Sequence, residues 1–248
     1  MTSAFDAARI RAILLDIEGT TTPVEFVTGE LFPFARSRFR EFLEAHANEA
    51  AAQADLASLR QEYPAAQAGR MNPPPWPSSS RTEEIAGTVA FVHWLMDRDS
   101  KCPPLKSLQG RIWQEGYASG ALKGKVYPDV PRAFARWRAQ GRDICIFSSG
   151  SVLAQKLLFG HSNAGDLTGF IRAWFDTTVG AKKEPESYRR IATELALEAE
   201  AILFVSDVVA ELDAARRSGM QTVLAVRTGT VPAESHHPAV RSFDELLP

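Results

Sequence analysis

Cysteine is scarce in this chain. There are two in 248 residues, far apart at Cys102 and Cys145. No disulfide framework can hold a small loop-rich fold together on that basis, so the fold must rest on its own core. Cys145 lies inside the apolar run ICIF and reads as a small buried hydrophobe. Long apolar runs are missing too. No stretch of eighteen apolar residues occurs, which argues against a membrane-spanning helix. A basic surplus is also absent. With 28 Lys and Arg against 30 Asp and Glu, the formal net charge is -2. That provides no electrostatic footprint for nucleic acid or an anionic membrane. The start, MTSAFDAARIRAILLD, lacks the basic, apolar and small-residue order of a secretory signal. There are no internal repeats. The expectation is a cytoplasmic monomer with no nucleic-acid or membrane partner.

What is present suits a globular enzyme. The chain is 45% hydrophobic and 23% charged, and its length fits one large domain or a core with a smaller lobe. The first strand is Ala12 to Leu15, a short apolar run of the kind buried on both faces. The next hundred residues change character and become rich in Ala, Glu, Arg and Leu. Phe32, Ala35, Phe39, Phe42 and Leu43 recur at helical spacing. A second helical stripe holds Ile85, Val89, Val92 and Met96, with Thr82 as its expected N-cap. Between them MNPPPWPSSS reads as a stiff linker, because its prolines exclude helix.

From Val126 the pattern alternates. Val130, Phe134 and Trp137 mark a helix, and DICIFSSG is a strand running into a Ser-Gly turn. A helix carrying Tyr188, Ile191 and Leu195 follows. Then come the strand AILFVSD, a helix stopped by Gly219, and the strand TVLAV. Strands alternating with helices predict βαβ units and a parallel sheet. We therefore expect an α/β core of residues 1–22 and 126–248, with residues 23–125 inserted as a helical cap after the first strand.

In such sheets ligands bind beyond the carboxyl ends of the strands. The first strand ends in Asp16, with Glu18 beyond it. ICIF ends in Ser148 and Ser149. AILFV ends in Ser206 and Asp207, with Glu211 one helical turn later. Lys182 and Lys183 lie between the last two. This set suits phosphoryl transfer. A carboxylate can attack phosphorus to form an acyl phosphate. A phosphate dianion will not approach carboxylates unaided, since two unit charges about 4 Å apart repel by about 4 kcal/mol at an effective dielectric of about 20. Mg²⁺ held by Asp16, Asp207 and phosphate oxygens removes that penalty. A lysine and hydroxyls can hold the remaining oxygens.

DIEGTT around Asp16 and Glu18, the serine after the second strand, Lys182 six residues before Tyr188, and SDVVAE together resemble the four motifs of the haloacid dehalogenase (HAD) superfamily. Glu18 stands where most phosphatases of that superfamily have Asp. With IWQEGYASGALKGKVYPDV, IFSSGS and KEPESY, it makes the chain similar over most of its length to the enolase-phosphatases of methionine salvage, also called acireductone synthases. The resemblance implies a Rossmann-like HAD core and a small-molecule substrate, 2,3-diketo-5-methylthiopentyl 1-phosphate. This would be enolised and then dephosphorylated to the acireductone 1,2-dihydroxy-3-keto-5-methylthiopentene. It implies Asp16 as nucleophile; Asp16, the main-chain carbonyl of Glu18 and Asp207 as Mg²⁺ ligands; and Ser148, Ser149 and Lys182 as substrate contacts. Glu18 takes the place of the usual general acid/base.

Other readings of these residues remain open. A related phosphomonoesterase acting on another small phosphate would share every motif. A halide-removing relative has no need of Asp207 or Glu18, and phosphoacceptor receiver domains are shorter and lack the insert. Ser148 and Ser149 could cap a helix. Glu211 could support the metal or charge a helix N-terminus. Trp113 and Tyr117, four apart, are expected in the packing of the insert. His93, His161, His236 and His237 show no ligand spacing, and His236 and His237, in a Pro-flanked loop, are expected at the surface. Cys102 is taken as incidental.

Overall fold

Ala12–Leu15 carries no polar side chain and forms β1, every residue of it buried. It is the inner strand about which the sheet is built. The computed structural model describes residues 5–69, 71–77 and 79–248. The first four residues of the start and Ser78 of the proline-rich stretch thus lie outside the described residues. By contact density the chain forms two compact units, residues 1–27 with 123–248, and residues 28–122.

The first unit is an α/β layer structure. After β1 come α1 (Val24–Phe26), α6 (Asp129–Ala139), β2 (Asp143–Phe147), α7 (Val152–Gly160), β3 (Ile171–Phe175), α8 (Pro185–Leu195), β4 (Ile202–Ser206), α9 (Val209–Arg217), β5 (Gln221–Ala225) and β6 (Ala239–Val240). The helices between residues 32 and 118, α2 to α5, belong to the other unit. The strands pair in the order β3-β2-β1-β4-β5-β6, and all pairings are parallel. The order reverses between β1 and β4, which creates a crevice at their carboxyl ends. Register fixes that point: Leu15 lies beside Ile146 on one side and Val205 on the other. Asp16 and Ser206 therefore leave the sheet side by side.

Helix faces match the apolar spacing. Val130, Phe134 and Trp137 of α6 are buried, as are Tyr188, Ile191 and Leu195 of α8. Gly219 (φ +99°) ends the turn after α9 in a conformation that L side chains rarely adopt. Two strands escaped the sequence reading. IRAWF forms β3, whose Arg172 is exposed and breaks the apolar run, and β6 is only two residues long. His237 is a correction. It is buried rather than at the surface, with Nδ1 2.8 Å from Thr222 Oγ1 and Nε2 3.1 Å from Asp213 Oδ1. The two contacts tie the chain before β6 to β5 and α9. His236 is exposed.

The second unit holds α2 (Phe32–His46), α3 (Ala50–Ala68), α4 (Arg81–Met96) and α5 (Pro103–Ala118). Ala35, Phe39, Phe42 and Leu43 of α2 are buried, as are Trp113 and Tyr117 of α5. The N-cap of α4 is Ser80, whose hydroxyl accepts from the Glu83 N–H, and not Thr82. Such a cap contributes about 1 kcal/mol. The buried face of α4 runs through Ile85, Thr88, Phe91, Val92 and Leu95, leaving Val89 and Met96 half-buried. The aromatic Phe91 explains the rotation. Its ring packs 5.3 Å from Trp76 and 5.1 Å from Tyr63, so the proline-rich stretch is anchored by a tryptophan against Gly87.

Candidate active site

The loop after β1 folds back on itself. The N–H groups of Thr20, Thr21 and Thr22 all donate to the Ile17 carbonyl. Gly19 (φ +67°) makes the turn, and a Cβ there would run into the Asp207 carboxylate. The glycine is thus needed twice, for its dihedral and for the space it leaves. Thr20, Thr21 and Thr22 are wholly buried. The Thr21 hydroxyl donates to the Asp16 carbonyl (3.1 Å), and the Thr20 hydroxyl accepts the N–H of Asp207 (3.0 Å). β1 and β4 are in this way joined just beyond their ends.

Asp16 is 5% exposed. Its Oδ1 accepts the Ile17 N–H (2.8 Å) and pairs with Lys182 Nζ at 2.6 Å. The same ammonium lies 2.6 Å from Glu211 Oε2. The Ser206 hydroxyl sits between the two carboxylates, 3.1 Å from Glu211 Oε2 and 3.3 Å from Asp16 Oδ2, and its single proton can serve one of them at a time. Glu211 is therefore the second support of Lys182.

Why Lys182 and not Lys183 faces the site follows from α8. Tyr188 donates its hydroxyl to the Lys182 carbonyl (2.6 Å), and Ser187 donates to that of Ala181 (2.7 Å). The six-residue spacing lets the first turns of the helix hold the loop. Lys183 is exposed. Burial alone would lower the Lys182 pKa, but the charges of Asp16 and Glu211 and their hydrogen bonds prevail and raise it. Lys182 is a fixed cation, not a proton donor near neutrality.

The carboxylates feel one another. Burial, then the charge of Asp16, pushes Asp207 up to about 6, and Glu18 adds to the effect. Burial and the charge of Asp16 likewise raise Glu211, despite Lys182. No cation pairs with the Asp207 carboxylate among the described residues. Asp16, Glu211 and Asp207 thus share the charge of Lys182, a negative excess that a divalent cation would offset. No cluster of three or more His, Cys, Asp or Glu side chains is placed to enclose a metal among the described residues. Two carboxylates with a main-chain carbonyl still suit Mg²⁺, which keeps waters and substrate oxygens as its other ligands. A cavity of about 180 Å³ reaches Asp207 and Gly19, bounded also by Glu25, Tyr127 and Thr228.

The two serines follow β2. Ser148 is buried, its N–H donates to the Phe175 carbonyl (3.1 Å), and its hydroxyl accepts the Gly150 N–H (3.2 Å). Ser149 is half-buried in the turn. Neither caps α7, since that role belongs to Ser151, which accepts the Ala154 N–H. β2 adjoins β1, and Lys182 Nζ lies 5.8 Å from the centroid of Phe147, the residue before Ser148. Asp16, Lys182, Glu211 and Ser206 are in direct contact. Asp207 and Glu18 act on the same cluster through charge, and Ser148 and Ser149 end the neighbouring strand. Sequence reasoning missed Thr20 and the Arg227–Asp129 pair. Arg227 follows the apolar run TVLAV, so the rule that singled out Asp16 would have found it.

Known proteins similar to this chain are numerous. A family model described as haloacid dehalogenase-like hydrolase matches residues 10–219. Enolase-phosphatase E1 of Synechococcus elongatus is 49% identical over 238 residues, 96% of this chain and 98% of that protein. Enolase-phosphatase E1 of Klebsiella pneumoniae is 46% identical over 239 residues, 96% of this chain and 97% of that one. Among solved structures, the UTR4 protein of Saccharomyces cerevisiae superimposes with a TM-score of 0.76 at 30% identity, covering 96% of this chain and 100% of that one.

Proposed function

Because this chain belongs to the haloacid dehalogenase-like hydrolases, and within them to the enolase-phosphatases, we propose that it is a Mg²⁺-dependent enzyme of methionine salvage. Its substrate in this reading is 2,3-diketo-5-methylthiopentyl 1-phosphate, and its products are the acireductone 1,2-dihydroxy-3-keto-5-methylthiopentene and phosphate. The observation that carries the reading is the Asp16 carboxylate at the end of the inner strand, 2.6 Å from a buried lysine and beside the strand that leads into Asp207.

Asp16 attacks phosphorus through one carboxylate oxygen, and the bond from phosphorus to the substrate oxygen breaks. Glu18 gives that leaving oxygen its proton. Water then attacks the aspartyl phosphate and yields a proton to the Glu18 carboxylate, which restores both groups. Lys182 orients Asp16 and holds a phosphate oxygen, with the Ser148 and Ser149 turn donating to the others. Asp16, the main-chain carbonyl of Glu18, and Asp207 would hold Mg²⁺, which when bound neutralises charge so that a phosphate dianion can approach a carboxylate. Enolisation precedes phosphate loss. All these residues belong to the α/β unit. The unpaired cysteines fit a reducing cytoplasm, and no helix among the described residues is long and apolar enough to cross a membrane.

The test is incubation with the diketo phosphate and Mg²⁺, with the enediol followed by ultraviolet absorbance and phosphate in parallel. Both signals should appear, and Asp16→Asn should abolish phosphate release. Release from generic phosphate esters with no enediol from the diketone would move the assignment to another small phosphate.

A further inference from the structure

β5 delivers a cation to the same edge of the sheet. Arg227 follows that strand by two residues, and its side chain is 6% exposed. The guanidinium lies between two rings, its Cζ 4.4 Å from the centroid of Tyr127 and 4.3 Å from that of Phe243. Nη1 pairs with Asp129 Oδ2 at 2.5 Å. Nε donates to the Thr20 main-chain carbonyl at 2.8 Å. Asp129 stands in the first turn of α6, and its Oδ2 also accepts the Phe243 N–H (2.5 Å) and the Ser242 hydroxyl (3.2 Å). Its place is therefore fixed from three sides.

Thr20 links this assembly to the site. Its carbonyl accepts from Arg227, and its hydroxyl accepts the N–H of Asp207 at 3.0 Å. The rest of the loop is tied in the same direction, because the Tyr127 N–H donates to the Thr21 carbonyl (3.0 Å). Tyr127 is also one of the two rings that sandwich Arg227.

We propose that Arg227 is a positioning residue for this reaction. Through Thr20 it sets the loop after β1 against the end of β4, and so sets where the Asp207 carboxylate stands relative to Asp16. The chemistry of the side chain supports the assignment. A planar guanidinium donates in two fixed directions at once, to Asp129 and to Thr20, whereas an ammonium on a flexible stem does not. A buried ion pair is also a weak source of stability, since desolvation offsets most of its attraction. Placement is the function that its geometry serves.

The inference takes from the proposed function only that Asp207 helps to hold a divalent cation. Two variants of the full chain test it. Arg227→Met combined with Asp129→Asn removes both charges, so no buried charge is left unpaired, and the asparagine Oδ1 can still accept the Phe243 N–H and the Ser242 hydroxyl. Arg227→Lys keeps a cation against Asp129 but loses the Nε donor to Thr20. Three quantities are measured: thermal unfolding, Mn²⁺ binding by electron paramagnetic resonance without substrate, and kcat and KM for phosphate release. The double variant should melt close to the parent. Its Mn²⁺ affinity and its kcat should each fall by about 10–100-fold, with KM little changed. Arg227→Lys should shift both in the same direction, and it carries the test alone if the double variant does not fold. A folded variant that binds Mn²⁺ as tightly as the parent and turns over at the parental kcat overturns the proposal. If the parent binds Mn²⁺ but releases no phosphate, the functional reading fails while the Mn²⁺ comparison still decides the role of Arg227.

Discussion

Lys182→Met deletes the ammonium that holds Asp16 and Glu211, each at 2.6 Å. At an effective dielectric of about 20, each contact is worth about 6 kcal/mol of Coulomb attraction before desolvation. Most of that is offset in the folded protein by taking three charges out of water. Removing one partner is asymmetric, because the desolvation cost of the two carboxylates stays and their compensation goes. Breaking a buried pair in this way costs about 3–5 kcal/mol, a large share of the roughly 5–15 kcal/mol that holds a domain folded. For a chain of this size the melting temperature should fall by about 6–20 °C. The loss should depend on pH. Without Lys182, Glu211, whose carboxyl is already raised by burial and the charge of Asp16, can relieve the repulsion only by taking up a proton. Its folded-state pKa lies above the unfolded value, the folded state binds more protons, and stability falls as pH rises through that window. The variant should be closest to the parent near pH 5 and furthest above pH 7, and adding Glu211→Gln should restore part of the loss. Thermal scans across pH decide the matter. A Lys182→Met protein as stable as the parent, with the same pH slope, would show that these carboxylates do not depend on the lysine.

Mg²⁺ at about a hundred times its dissociation constant should stabilise the parent by about 2.7 kcal/mol. Calorimetry should find little of that gain in Asp207→Asn, whose metal-free form should in turn be the more stable because a buried carboxylate raised to about 6 has been neutralised. Gly19→Ala should cost about 1–2 kcal/mol for its left-handed backbone. It should also raise the Mg²⁺ needed for half-maximal phosphate release, since its Cβ displaces Asp207. Glu18→Gln should stall phosphate loss more than enolisation, seen in single-turnover absorbance as an accumulating phosphorylated enol. His46, between Glu49 (2.8 Å) and Glu115 (2.9 Å), has a raised pKa, chiefly from its hydrogen bond to Glu49. Its contribution should be full below about pH 6.5 and lost as pH rises through the folded value. At this half-buried surface site it should amount to no more than about 0.5 kcal/mol, and His46→Gln should remove that pH dependence from the melting curve.

The residues most legible in the sequence were those where pattern and chemistry coincide. β1, β2, β4 and β5 are apolar runs that stop at a polar residue, so a single rule found both the strands and Asp16, Ser148 and Asp207. Lys182 was separable from Lys183 only by its distance to Tyr188, and the hydrogen bond from that tyrosine to the Lys182 carbonyl is the physical reason the spacing works. β3 was hidden because its sequence, IRAWF, interrupts the apolar run with a charge that belongs at an exposed position. The cap of α4 was misplaced by two residues because Ser80 and Thr82 are both good caps, and only the backbone decides between them. His237 was misplaced because its partners, Thr222 and Asp213, are distant in sequence. Arg227 could have been found as a strand-end residue, but its pairing with Asp129 could not, because the two are 98 positions apart.

The place of β1 in the sheet sets the order in which the chain can assemble. This strand is made first, yet its two neighbours lie roughly 130 and 190 residues downstream. At about 5–20 residues per second, synthesis reaches β4 about 10–40 s after β1. The helical unit, residues 28–122, is contiguous and can fold in the interval. The α/β unit cannot close until β4 arrives, and contacts this far apart in sequence form slowly. Throughout that wait four apolar residues, Ala12 to Leu15, lie open in the nascent chain. They are flanked by Arg9 and Arg11 on one side and by Asp16 and Glu18 on the other, charges of the kind that keep an apolar strand from pairing with its own copies. The two carboxylates proposed to act on the substrate thus begin as guards of the strand that carries them.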